Sequence, residues 1–199
     1  VDEDLDAVLD VAASVDAHVL VDEVYLDLDP AERPTAARRS DRVVVTNSLT
    51  KAHGLWYLRS GWILASPDVI TEIDRWNDLV YPAPPLPSLT QSLTYLRHAD
   101  ERLAALRTRC AGLTERVDAW VKKQSDVRWR RPPAGFTGLL ELPYDGDDVA
   151  RRAWDEEQVR VVPGSFFQYP KSVRISYLLD DDVLDAALDG LAAVLNRMP

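Results

Sequence analysis

The sequence predicts an α/β protein: a partial, mostly parallel sheet with helices over residues 1–84, then a long helix and a smaller α+β unit over residues 85–199. Three observations carry this. Apolar residues at helical spacing alternate with β-branched runs too short for a helix. Two of those runs, "AHVLVDEVY" and "RVVVTNS", end in acidic or small polar residues, as strands of an open parallel sheet end where they meet a site. A stiff segment, "YPAPPLPS", with four prolines at residues 81–88, then interrupts the alternation and marks the boundary between the two parts.

Taken in order, Leu5, Val8, Leu9 and Ala12 recur at helical spacing, and the run around Val19 reads as a buried strand. The stretch 42–48 reads as a central parallel strand, and "GWILAS" as a third strand. A helix follows with Ser66 as N-cap, Pro67 at its first position and Asp68 in its first turn. Beyond the prolines, Ser88 can cap one long helix running from Leu89 through Leu103 and Leu113 to Trp120. Strand-like residues around a Pro-Gly turn in "VRWRRPPAGFTGLLELP", a helix at about 147–157, the strands "VRVVPGSFF" and "SVRISYL", and a helix from Asp181 to about Leu195 complete the pattern. Two or three strands are few for an open parallel sheet, and the chain enters directly on a covering helix. The first part therefore reads as the later portion of a larger domain.

Composition narrows the function classes. The net charge of −10 argues against a nucleic-acid backbone or an anionic membrane as partner, because a phosphate-binding surface needs basic patches. The arginine pairs at 38–39, 130–131 and 151–152 read as solvated faces or local ion pairs. An acidic, lysine-poor composition also suits high salt. No stretch approaches the roughly 18 to 20 apolar residues of a membrane span, and no basic-then-apolar signal segment opens the sequence, so the expected location is cytoplasmic. Cys110 is the single cysteine and reads as an inert packed thiol, while His18, His53 and His98 have no ligand spacing, so no metal site is expected.

The chemistry gathers elsewhere. The chain has four lysines against nineteen arginines among its 23 basic residues, yet it places Lys51 behind Ser48 and Thr50 and eight residues before Arg59. The first strand ends in Asp22, Glu23 and Tyr25, and the second near Ser48 and Lys51, so these meet at the carboxyl edge of a parallel sheet, where open α/β folds bind ligands. An acid, a phenol, a hydroxyl, an amine and a guanidinium together match the atoms of pyridoxal 5'-phosphate: an aldehyde for the amine, a ring nitrogen for the carboxylate, a phenolate oxygen and a phosphate. Read singly, each is bland: a strand-end turn, a half-buried aromatic, a surface lysine, an exposed arginine within a strand.

Together these residues resemble the class I/II aminotransferases of the fold-type-I pyridoxal-phosphate enzymes. "VDEVY" resembles that family's Asp-x-x-Tyr strand end, "SLTKAHGLWYLRSGW" its lysine motif followed by Arg-x-Gly, and "VVPGSFF" with "VRISY" its small-domain Pro-Gly segment and carboxylate-binding arginine. The resemblance implies that Lys51 forms the Schiff base and shuttles the proton, that Asp22 pairs with the ring nitrogen, and that Tyr25 donates to the phenolate oxygen. It assigns the phosphate to Ser48 and Arg59 and the substrate α-carboxylate to Arg174 by bidentate contact. It further implies the C-terminal part of that fold, amino acid and 2-oxo acid substrates, and a homodimer. A guanidinium cannot form a Schiff base, which explains one lysine kept in a chain that prefers arginine.

The pattern is also departed from. Trp56 and Tyr57 replace the small pair after the glycine, which either shapes the substrate site or repacks the loop. The family's N-terminal half, with its phosphate cradle, stacking ring and asparagine, has no counterpart here. A non-catalytic remnant, or a fragment needing a separate N-terminal half or partner chain, is therefore the alternative, and decarboxylase or lyase chemistry is a third. "YPAPPLPS" contains no arginine to pair with a second carboxylate, which favours apolar or aromatic amino acids over aspartate.

Overall fold

A computed structural model describes residues 2–81 and 83–198; Pro82 of the proline-rich segment lies outside them. Its contacts divide the chain into two compact units, Val1–Leu106 and Arg107–Pro199, and the division falls inside a long helix downstream of the proline-rich segment.

In the first unit, α1 (Asp2–Ser14) leads into β1 (Val19–Asp22), β2 (Val43–Ser48) and β3 (Gly61–Leu64), followed by α2 (Pro67–Val80) and α3 (Leu86–Leu96). β1 and β2 are parallel, with Val19 opposite Val43 and Asp22 opposite Thr46, whereas β3 runs antiparallel to β2, with Ser48 opposite Gly61. Alternation along β2 buries Val43, Val45 and Asn47 on one face. β1 is less buried than expected, with Val19 and Val21 half-buried on one face. Leu20 on the other is 68 % exposed, because a continuous apolar run implies cover on both faces and here one is bare.

The helices differ from their sequence pattern at two ends. Ser66 occupies the N-cap of α2 with extended backbone, but its side chain makes no capping bond. The single long helix expected from Ser88 is two: α3 starts at Leu86, and α4 spans Ala99–Val121. Pro87 fits the first turn of α3 because amide protons there have no helical acceptor. Between the helices, Arg97 and His98 tighten the last turn, the His98 N–H donating to Tyr95 O at 3.0 Å. No glycine or proline marks this break, so apolar periodicity runs through it unbroken.

The second unit carries an antiparallel sheet in the order β4 (Arg128–Trp129), β5 (Thr137–Glu141), β7 (Ser172–Ser176), β6 (Val162–Pro163). Helices α5 (Gly146–Glu157) and α6 (Asp181–Asn196) accompany it. Asp145 caps α5 by accepting from the amides of Asp147 and Asp148. Leu113 and Val117 of α4, Leu140, Val173, Val149 and Leu191 form one apolar core with the buried ring of Tyr177. Cys110 is buried, and burial raises its thiol pKa, consistent with an inert packed side chain. The arginine pairs form local ion pairs, among them Arg39 with Asp6, Arg131 with Glu115 and Arg152 with Glu156. No described helix is long and apolar enough to cross a membrane, and no described group of three or more His, Cys, Asp or Glu side chains can hold a metal ion.

Candidate active site

The parallel pairing of β1 with β2 places Asp22 and Ser48 at the same carboxyl end of the first sheet. Asp22 is exposed and accepts a hydrogen bond from the Val24 N–H at 3.1 Å, a turn that ends the strand. Tyr25, half-buried, opens the 3-10 turn Leu26–Leu28 directly beyond it. The neighbouring acid Glu23 is buried instead, its carboxylate accepting from the Ala36 N–H at 2.7 Å, which makes it part of the scaffold.

The lysine loop is pinned on both sides. Leu49 and Ala52 are fully buried, while Lys51 between them is exposed. Backbone bonds hold the segment: Ala52 N–H donates to Val24 O at 3.3 Å, Leu49 N–H to Ser60 O at 3.0 Å, and Leu55 N–H to Leu49 O at 2.8 Å. The loop is thus tied to the end of β1 and to the start of β3, and its amine is left accessible. Ser48 Oγ accepts from the Thr50 N–H at 3.2 Å.

Arg59 has left-handed backbone, φ 51°, and its side chain donates to Trp56 O at 3.0 Å. A non-glycine residue held there is uncommon and marks a constrained turn. Gly61 permits the turn to close, since a Cβ at that position would lie 2.9 Å from Asn47 O and 3.2 Å from Ser48 Cβ. The Arg-x-Gly spacing therefore seats β3 directly against Ser48. Trp56 and Tyr57 are both exposed and meet edge-on, their centroids 6.1 Å apart.

Asp22, Tyr25, Ser48, Lys51 and Arg59 accordingly fall at one edge of the first unit's sheet. A concavity of about 910 Å³ in this unit, lined by His18, Arg42, Ile73 and Trp76, lies elsewhere. Arg174 belongs to the second unit. It is exposed on β7 opposite Leu139 and Val162, and its guanidinium stands 5.0 Å from the Phe167 ring centre. Gly164 of the Pro-Gly segment underlies the same strand, because a Cβ there would fall 1.9 Å from Ser172 Oγ.

Sequence reasoning missed a partly buried polar network next to the lysine loop, formed by Asp27, His53 and Tyr95. His53 Nε2 lies 3.0 Å from Asp27 Oδ2, and its Nδ1 lies 3.1 Å from the Tyr95 hydroxyl. Burial pushes the Tyr95 pKa up; the Arg102 guanidinium opposes the shift and the Asp27 carboxylate reinforces it. The available signal was the position of His53, two residues after Lys51. Tyr95 gave none, since it sits within an ordinary helical pattern.

Among known families, the one described as aminotransferase class I and II matches residues 2–191. This chain belongs to that family. Known proteins share part of the sequence, and solved structures share the fold. Capreomycidine synthase of Streptomyces vinaceus is 28 % identical over 196 residues, covering 96 % of this chain and 49 % of that protein. An aromatic amino acid aminotransferase of Mycobacterium tuberculosis is 33 % identical over 192 residues, covering 77 % of this chain and 53 % of that protein. The crystal structure of an aspartate aminotransferase from Thermotoga maritima superposes with a TM-score of 0.89 at 24 % identity, covering 98 % of this chain and 52 % of that one. The chain spans about half the length of the curated relatives it matches. The fold is thus part of the α/β aminotransferase architecture, and a structural neighbour from Streptococcus suis is described as a PLP-dependent aminotransferase.

Proposed function

We propose that this chain carries the lysine-bearing part of a pyridoxal-phosphate-dependent aminotransferase acting on an amino acid and a 2-oxo acid. The observation that carries the reading is the exposed Lys51 amine, set between the fully buried Leu49 and Ala52 at the strand edge that also presents Asp22, Ser48 and Arg59. This donor set fits the cofactor atom by atom: amine for aldehyde, carboxylate for ring nitrogen, hydroxyl and guanidinium for phosphate.

When bound, pyridoxal phosphate supplies the electron sink that lets the Cα–H bond of an amino acid break. Lys51 would hold the aldehyde carbon and carry the proton from Cα. The Asp22 carboxylate would keep a proton on the ring nitrogen, and the Tyr25 hydroxyl would donate to the phenolate oxygen. Ser48 and Arg59 would take the phosphate, the guanidinium through two parallel N–H donors. Arg174 would orient the substrate through its α-carboxylate. A proline-rich segment without arginine, and exposed rings at Trp56 and Tyr57, favour an apolar or aromatic amino acid. Cytoplasmic amino-acid metabolism or biosynthesis, with a homodimeric assembly, completes the proposal.

A second reading is favoured by the uncovered apolar surface. Leu20, Trp76, Leu79, Val80 and Leu86 are each at least 67 % exposed, an arrangement that marks an association surface. On that reading the chain is a non-catalytic remnant, or works only with a separate N-terminal half or partner chain. One relative, of Streptomyces vinaceus, is named a synthase rather than an aminotransferase, which supports keeping decarboxylase or lyase chemistry as a third reading.

The test is addition of pyridoxal phosphate to the purified chain, followed by borohydride reduction and peptide mass spectrometry. A visible absorbance band and a reduced adduct on Lys51, both absent in Lys51→Ala, are expected. An unchanged band in Lys51→Ala would refute the assignment. Uptake only with a copurifying chain present would select the second reading.

A further inference from the structure

The His53 side chain is 2 % exposed, and the proposed reaction gives it no task. Its two ring nitrogens bond in opposite directions, one toward the β1 end through Asp27 and one toward α3 through Tyr95. A carboxylate only accepts, so Nε2 must carry a proton toward Asp27. The Tyr95 hydroxyl, which can donate or accept, meets Nδ1, so both ring nitrogens are bonded.

The network continues to both ends of the site. Asn47 Nδ2 donates to the same Asp27 oxygen at 3.4 Å, and Asn47 Oδ1 accepts the Ser48 N–H at 2.7 Å. One turn before Tyr95 on α3, Ser92 is buried and donates to Ser60 Oγ at 2.7 Å, next to Arg59. The Tyr95 and His53 rings meet edge-on with centroids 5.4 Å apart, so the ring is held by packing as well as by bonds. A single face of α3 thus braces the residue two after Lys51 and the residue one after Arg59.

We propose that His53, fixed between Asp27 and Tyr95, is a positioning residue that sets the placement of the Lys51 amine by pinning its loop to the end of β1 and to α3. The significance of that placement rests on the cofactor reading above, but the pinning itself can be measured without cofactor.

The first measurement is a long-range proton–nitrogen spectrum of the imidazoles in the 15N-labelled 199-residue chain. A protonated Nε2 is expected at His53, with the Nδ1 resonance moving in Tyr95→Phe, which removes only a hydroxyl. In that variant, amide exchange at Gly54 and Leu55, whose N–H groups bond Lys51 O and Leu49 O, should quicken at least tenfold while β7 amides stay unchanged. An unprotonated Nε2 in the parent chain, or unaltered loop exchange in Tyr95→Phe, would overturn the proposal.

The second measurement is the partition of borohydride-trapped pyridoxal phosphate among the four lysines. Lys51 should lose at least fivefold of its share to Lys122, Lys123 and Lys171 in His53→Phe, with partial recovery in His53→Gln, whose amide can donate and accept. Equal shares in His53→Phe and the parent would count against the proposal. No preference for Lys51 in the parent chain, with the spectrum and exchange as expected, would count against the cofactor reading alone and leave the pinning supported.

Discussion

One chemical change, glycine to alanine, should act with opposite sign at two positions of the second unit. Gly164 lies under β7, and an added Cβ would sit 1.9 Å from Ser172 Oγ, 2.3 Å from Tyr169 O and 2.7 Å from Ser172 O. Ser172 Oγ can rotate away, at the loss of its 2.7 Å bond to Tyr169 O. The two carbonyl oxygens cannot, because Ser172 begins β7 opposite Glu141 and its neighbour Val173 is fully buried. The strand must shift by roughly an ångström, which places the cost at the upper end of the overpacking range, about 3 kcal/mol. Gly112 is exposed within α4 and has nothing within 4 Å of the added carbon. Alanine there removes backbone freedom from the unfolded chain and should stabilise by about 0.5–1 kcal/mol. Urea titrations followed by tryptophan fluorescence would read both. Gly164→Ala should lower the midpoint strongly and Gly112→Ala should raise it slightly. A cost below about 0.5 kcal/mol at Gly164 would refute the claim that this glycine seats the strand carrying Arg174.

Two further outcomes are expected. Arg59→Lys keeps the charge but loses the planar fork, so pyridoxal phosphate affinity should fall about tenfold in a spectrophotometric titration; equal affinity would remove Arg59 from the phosphate. Asp118 accepts hydrogen bonds from Lys122 and from Trp129 Nε1, and these hold its carboxyl below the ordinary range. A folded pKa below the unfolded one gives stability that is present above about pH 4 and is lost as pH falls through the folded value. The gap in melting temperature between the parent and Asp118→Asn should therefore close on acidification from pH 6 to pH 3, and a constant gap would contradict the linkage.

Local chemistry made much of the molecule legible. The β-branched run at Val43–Val45 was readable as a strand because it is too short and too apolar for a helix, and Pro67 marks a helix start that the structure contains. The five residues at the sheet edge were legible because strand ends and spacing alone place them on one side. The break between α3 and α4 was not, since it carries no glycine or proline, and the half-bare β1 was not, since a sequence run cannot say whether both of its faces are covered.

Residue types and their order thus determined the fold class, the strand edge and the position of Lys51 beside it. Tertiary structure decided what surrounds it: that Arg59 takes a left-handed turn closed by Gly61, and that His53, Asp27 and Tyr95 meet although they stand 26 and 42 residues apart along the chain. The physical reason is that spacing along a strand or helix fixes only which residues share a face. Which side chains complete one another's hydrogen bonds is settled by packing between segments, where burial makes an unpaired polar group costly.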